Sequence, residues 1–172
     1  IAVSKTKPKE DILELIKLGH LHFGENKLQE AKSKWTSIKK EYPKIKLHFL
    51  GRLQSNKIND ILEFFDYIHT VDSINHADKI KSCLKKPDMP MFIEVNLKDE
   101  PQKGGVSLKD TASLVNYCKN ELKLNIIGLM CIPPANENAS YYFKILKSKA
   151  YECGLKELSM GMSNDYEHAA KE

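Results

Sequence analysis

Apolar residues recur along this 172-residue chain with two periods that alternate. Short apolar runs at 1–5, 20–24, 46–51, 67–72, 91–97, 125–132 and 157–162 have the length and side-chain types of strands. Between them the spacing turns helical. Ile12, Leu15, Ile16 and Leu18 precede Gly19, a helix stop. Leu28, Ala31, Trp35, Ile38 and Tyr42 recur at steps of three and four, which places them on one helix face. The same spacing returns at Ala77, Ile80 and Leu84, at Ala112, Val115 and Leu122, and at Tyr142, Leu146 and Ala150 ahead of Gly154. Ser107 stands before Asp110 at helix-cap spacing. The runs at 91–97 and 125–132 are continuously apolar, which predicts burial on both faces, as in a parallel sheet covered by helices. Strands alternating with helices, without linker or low-complexity stretch, predict one α/β domain over residues 1–172. A doubly wound open sheet and a (β/α)8 barrel both fit. Neither G-x-G-x-x-G nor G-x-x-x-x-G-K-[ST] is present, so the nucleotide-binding open sheets lose their fingerprints.

Composition narrows the function classes. Hydrophobic residues make up 41% and charged residues 29%, an ordinary globular balance that excludes disorder. No apolar run approaches the roughly 20 residues needed to span a bilayer, and no membrane partner is expected. The stretch Ile1-Ala2-Val3-Ser4-Lys5 shows no secretory signal. Cys83, Cys118, Cys131 and Cys153 lie far apart without a C-x-x-C pair, the usage of reduced thiols in a cytoplasmic protein. The net charge of +4 comes almost wholly from lysine, with Arg52 the single arginine. Base-edge readout favours arginine, so no nucleic-acid partner is expected.

In both candidate folds, functional residues sit at the carboxyl ends of strands. That rule selects Lys5, Gly24-Glu25-Asn26, Gly51-Arg52-Leu53-Gln54, Asp72-Ser73, Asn96, Met130-Cys131 and Gly161-Met162-Ser163. Lys5 ends the first apolar run, where partial desolvation would favour the amine that Schiff-base chemistry requires. Ser159-Met160-Gly161-Met162-Ser163 leads into a helix start, with Gly161 allowing close backbone approach and Ser163 a good N-cap, the parts of a phosphate site. Asp165 puts a negative charge in the same turn. Asn26 is placed to bond a ring substituent or to cap the next helix. His20, His22, His48 and His69 lie on strands, yet no H-E-x-x-H or Cys/His cluster marks a metal site. Lys103 stands in a flexible loop before Gly104-Gly105, within reach of the mouth.

These segments fall into one order: Val3-Ser4-Lys5-Thr6-Lys7-Pro8, Phe23-Gly24-Glu25-Asn26 with Gln29-Glu30, His48-Phe49-Leu50-Gly51 with Leu53-Gln54-Ser55-Asn56-Lys57, Val95-Asn96 with Lys103-Gly104, Gly128-Leu129-Met130, and Leu158-Ser159-Met160-Gly161-Met162-Ser163-Asn164-Asp165. The whole chain resembles the YggS/PROSC family of pyridoxal-phosphate-binding homeostasis proteins. The resemblance implies a (β/α)8 barrel of PLP fold-type III, similar to the amino-terminal domain of alanine racemase. It implies pyridoxal 5′-phosphate (PLP) as cofactor, with Lys5 as the Schiff-base lysine, Asn26 near the ring and His48 lining the site. It further implies that Ser159, Gly161, Met162 and Ser163 hold the phosphate, with Lys103 a loop lysine near the cofactor. The family's usual eighth strand, with its arginine and Gly-Thr, has no match here, nor has its amino-terminal helix. The expectation is a barrel domain truncated at both ends.

Two functions follow from the resemblance. The first is a monomeric PLP carrier that buffers the cofactor and serves apo PLP-dependent enzymes without robust turnover. The second is a racemase-like enzyme, which needs a second acid/base that alanine racemase takes from a separate domain. A protein for another phosphorylated metabolite is the third, residual reading.

Overall fold

The computed structural model describes residues 1–172. Its elements follow a βα repeat: β1 (Ala2–Val3), α1 (Lys9–Lys17), β2 (His22–Glu25), α2 (Leu28–Glu41), β3 (Lys46–Phe49), α3 (Ile58–Phe64), β4 (Tyr67–Val71), α4 (Ile74–Cys83) and β5 (Met91–Asn96). Then come β6 (Val106–Ser107), α5 (Thr111–Asn116), β7 (Ile126–Met130), α6 (Ala139–Glu152), β8 (Glu157–Ser159) and α7 (Tyr166–Lys171). The strands β1-β2-β3-β4-β5-β7-β8 pair in chain order and every pair is parallel. The two-residue β6 extends β5 off this path. β1 and β8 are the sheet's two edges. The sheet curls, because side chains of the non-adjacent β4 and β8 meet across its inner face, His69 Nδ1 lying 2.7 Å from Ser159 Oγ.

All seven strands read from the sequence are present on the main path. Their outer faces pack under the helices in one core of 33 buried apolar residues. Trp35 of α2 is fully buried against Phe23 of β2, with ring centroids 4.9 Å apart. Gly19 and Gly154 end α1 and α6 at φ of 88° and 66°, conformations that favour residues without a Cβ. Three local expectations are corrected. Leu18 lies beyond α1 and is exposed, because the helix closes one residue earlier. The helix expected over 112–122 is α5 followed by a π-helical turn at Tyr117–Glu121, a widening that buries Cys118. α3 has no counterpart in the sequence reading: a 3₁₀ turn at Ser55–Lys57 leads into only seven helical residues, and the polar Gln54-Ser55-Asn56-Lys57 masks the spacing of Ile58, Ile61 and Leu62. No helix is long and apolar enough to cross a membrane.

Candidate functional site

The inner face of the curl opens at the carboxyl ends of the strands, between the two edges. There a cavity of about 470 Å³ is lined by Lys5, Asn26, Leu50, Met130, Ser159 and Met162, among others. Ile1, Val3 and Lys5, in and beside β1, line it. This volume suits one small ring-sized ligand. Lys5 is exposed at the mouth, which corrects the expectation of a partly desolvated ammonium.

The turn carrying Lys5 is pinned from the far side of the sheet. Ser4 N donates to Gly24 O (2.9 Å), and Ser4 Oγ to Glu25 Oε1 (2.8 Å). Glu25 is fully buried, and the same Oε1 accepts from Trp35 Nε1 (3.1 Å) and Lys34 Nζ (2.7 Å). Lys34 Nζ also donates to Ser4 O (2.6 Å) and to Glu30 Oε1 (2.8 Å), while Glu30 Oε1 accepts from Thr6 N (2.6 Å). Thr6 holds φ at 62°, a left-handed conformation that this bonding fixes. Burial disfavours the Lys34 cation, but its bonds to Glu25 and Glu30 outweigh that and raise its titration above the ordinary lysine value. The Lys34 and Thr6 donors hold Glu30 below the usual carboxylate range. The residues on either side of Lys5 are thereby fixed, while its own side chain is left to the cavity.

The opposite wall is the segment after β8. Gly161 takes φ of 91°, and a Cβ there would lie 2.9 Å from Ala169 Cβ, so α7 packs directly on the loop. Asp165, not the expected Ser163, is the N-cap residue of α7. Its Oδ1 accepts from Met162 N at 2.5 Å, so the carboxylate takes a donor that an anion would otherwise use. Ser163 is exposed and does not line the cavity.

Of the residues that the resemblance assigned to the cofactor, Lys5, Asn26, Ser159, Gly161 and Met162 converge on this cavity, together with Met130 and Cys131 from the strand-end set. His48 does not line it. It is buried inside the curl, stacked on Tyr67 with centroids 4.1 Å apart, and joined to the cavity wall through His69. Burial, with His69 and His22 adding to it, pushes His48 down to about 3. The histidine nitrogens point at one another rather than at a shared centre, and no group of three ligating side chains is arranged for a metal ion. Lys103 lines a separate hollow of about 110 Å³ with Glu94, Asn96 and Gly104, where it pairs with Glu100 (2.6 Å) and donates to Pro133 O (3.3 Å). Glu94 there is pushed up to about 7 by burial and Asp72, against a smaller pull from Arg52. The sequence reading missed His69 as the neighbour of Ser159 and the Glu25–Lys34 pair as the anchor of Lys5. The one available signal was that His22, His48 and His69 fall on one face of successive strands, each two residues out of step with the last.

Known proteins match this chain over nearly its whole length. The profile of the alanine racemase N-terminal domain family matches residues 2–170. The pyridoxal phosphate homeostasis protein of Aquifex aeolicus is 36% identical over 183 residues, covering 100% of this chain and 79% of that protein. PipY of Synechococcus elongatus PCC7942, solved without PLP, superposes with a TM-score of 0.91 at 34% identity over 99% of this chain and 84% of its own. PipY with PLP bound gives 0.85 at 32%, with the same coverage. Alanine racemase of Clostridium difficile, at 14% identity over 95% of this chain and 46% of its own, shares the fold with a TM-score of 0.70.

Proposed function

The chain belongs to the alanine racemase N-terminal domain family and, within it, to the pyridoxal phosphate homeostasis proteins, and from that premise we propose that it holds PLP as a Schiff base on Lys5, in the cavity between β1 and β8. The observation that carries this reading is the convergence of Lys5, Asn26, Ser159, Gly161 and Met162, drawn from three separate stretches of chain, on one cavity. The residues fit the cofactor. An amine stands at one wall, a hydroxyl and a tightly turned glycine backbone at the other, and the apolar Leu50 and Met130 between them suit the faces of a ring. When bound, PLP supplies an aldehyde for the amine and an electron-withdrawing ring. The chain's own part is to fix the lysine by its flanking hydrogen bonds and to hold the phosphate end near Ser159.

A carrier role is favoured over turnover. Racemisation needs two acid/base groups, one on each ring face. Besides Lys5, the ionisable side chains on this cavity are the Cys131 thiol, pushed up to about 12 by burial and beyond service near neutrality, and the exposed Tyr166 phenol of α7, the one side chain there for a racemase's second role. The relatives' description as homeostasis proteins agrees with holding and passing on the cofactor. Apo PLP-dependent enzymes are the recipients in this reading. Adding PLP to the purified chain is expected to produce a visible absorption band that Lys5→Ala abolishes. A wild-type protein that stays colourless contradicts the assignment. Incubating the loaded protein with D- or L-amino acids is expected to give no sustained interconversion, and interconversion at ordinary enzyme rates makes it a racemase.

A further inference from the structure

Inside the curl, three imidazoles and a hydroxyl are joined end to end. His22 Nδ1 lies 2.9 Å from His48 Nε2, His48 Nδ1 lies 2.8 Å from His69 Nε2, and His69 Nδ1 lies 2.7 Å from Ser159 Oγ. The line begins at His22, exposed at the start of β2, and ends on the cavity wall. His48 and His69 are buried, and burial is the main cause that holds both down at about 3, so both are neutral near neutral pH.

A neutral imidazole has one N–H donor and one acceptor nitrogen. A line of them without a fault therefore has only two directions. In the first, each Nδ1–H donates toward Ser159. The serine oxygen accepts from His69, and its own O–H is left to turn into the cavity. In the second, the Ser159 O–H donates to His69 Nδ1, and each Nε2–H donates back toward His22. Ser159 then shows the cavity only lone pairs, which repel an anion. A cationic His22 has no lone pair to offer, so it must donate to His48 Nε2, and this imposes the first direction.

We propose that His22, His48 and His69 are positioning residues that aim the Ser159 hydroxyl at a phosphate group bound in the cavity, with the protonation of His22 setting the direction of the line. The proposal rests on the cavity reading above, and the phosphate can be that of PLP or free inorganic phosphate. His22 is faced by His20 two residues before it, Lys46 and His48 from β3 and Tyr67 from β4. Burial first, with His20 and Lys46 adding to it, holds its titration below the ordinary 6.5. The sign follows: affinity for phosphate rises as pH falls through the His22 titration, and a bound phosphate in turn raises that titration.

The test titrates PLP and, separately, inorganic phosphate into the full chain labelled with ¹⁵N-histidine, as wild type, His22→Gln and Ser159→Ala, near pH 7.5 and near pH 5.5. The ligand's own ionisation is common to all three proteins and cancels in their ratios. Acidification is expected to strengthen binding to the wild type relative to His22→Gln by roughly three- to tenfold, the worth of one hydrogen bond. Ser159→Ala is expected to lose the difference as well. Bound His48 and His69 should carry their protons on Nδ1. Equal pH dependence in wild type and His22→Gln, or Nε2 protons in the bound state, overturns the proposal. A His22 response to inorganic phosphate without a PLP band keeps the relay and removes the cofactor reading. PLP bound with His22 unresponsive does the reverse, and no response to either ligand overturns the relay.

Discussion

Glu25 is sealed from solvent, and its Oε1 takes all of its hydrogen bonds while Oε2 has no partner. Its charge is therefore borne chiefly by the Lys34 ammonium at 2.7 Å. Replacing Lys34 by Met leaves an uncompensated buried carboxylate, and the expected loss of stability is about 3–5 kcal/mol. Chemical denaturation measures it, and the surviving folded protein should also bind PLP more weakly, since Ser4 and Thr6 lose their anchors. A stability within about 1 kcal/mol of wild type, the worth of a surface pair, would contradict this role. Glu25 was singled out by its place at a strand end, but its role as an anchor was not legible in the sequence. Lys34 reads as one of many solvated helix lysines, and only the docking of α2 against β1 and β2 turns it inward. The place of Lys5 and Ser159 at the cavity was legible because the ends of the strands collect on one rim.

At the scale of elements, β3 and β4 carry two histidines into the apolar interior of the curl. His48 and His69 titrate at about 3 in the fold and near 6.5 in an unfolded chain. The folded values are depressed because the cation is disfavoured, so between these limits the unfolded chain binds more protons. Their contribution to stability is complete above 6.5 and is lost as pH falls toward 3. Each histidine contributes a slope of about 1.4 kcal/mol per pH unit within that window. Urea unfolding as a function of pH should show this loss, and His69→Gln should flatten it by about one proton. An unchanged slope in that variant contradicts the assignment. The strands and longer helices were legible from their alternating periods, while α3 and the two-residue β6 were too short to show one. The line from His22 to Ser159 was not legible, because it joins residues on β2, β3, β4 and β8 that only the curl of the sheet brings together.

For the whole molecule, the repeated βα unit places every strand's carboxyl end on one rim, and the curl brings the first and last strands to the same cavity. Amine and hydroxyl come from residues 5 and 159, so the site exists only in the folded chain. The family was legible in the sequence because its motifs lie at these rim positions, in order. That Ser163 and Lys103 lie off this cavity was not, since packing of α7 turns Ser163 to solvent and a local ion pair holds Lys103 in its own hollow. The most direct measurement is borohydride reduction of the PLP-loaded chain followed by peptide mass mapping. A pyridoxyl group is expected on the peptide containing Lys5 and on no other. The same mass on Lys103 or another lysine, with Lys5 unmodified, would contradict the placement of the cofactor in the cavity between β1 and β8.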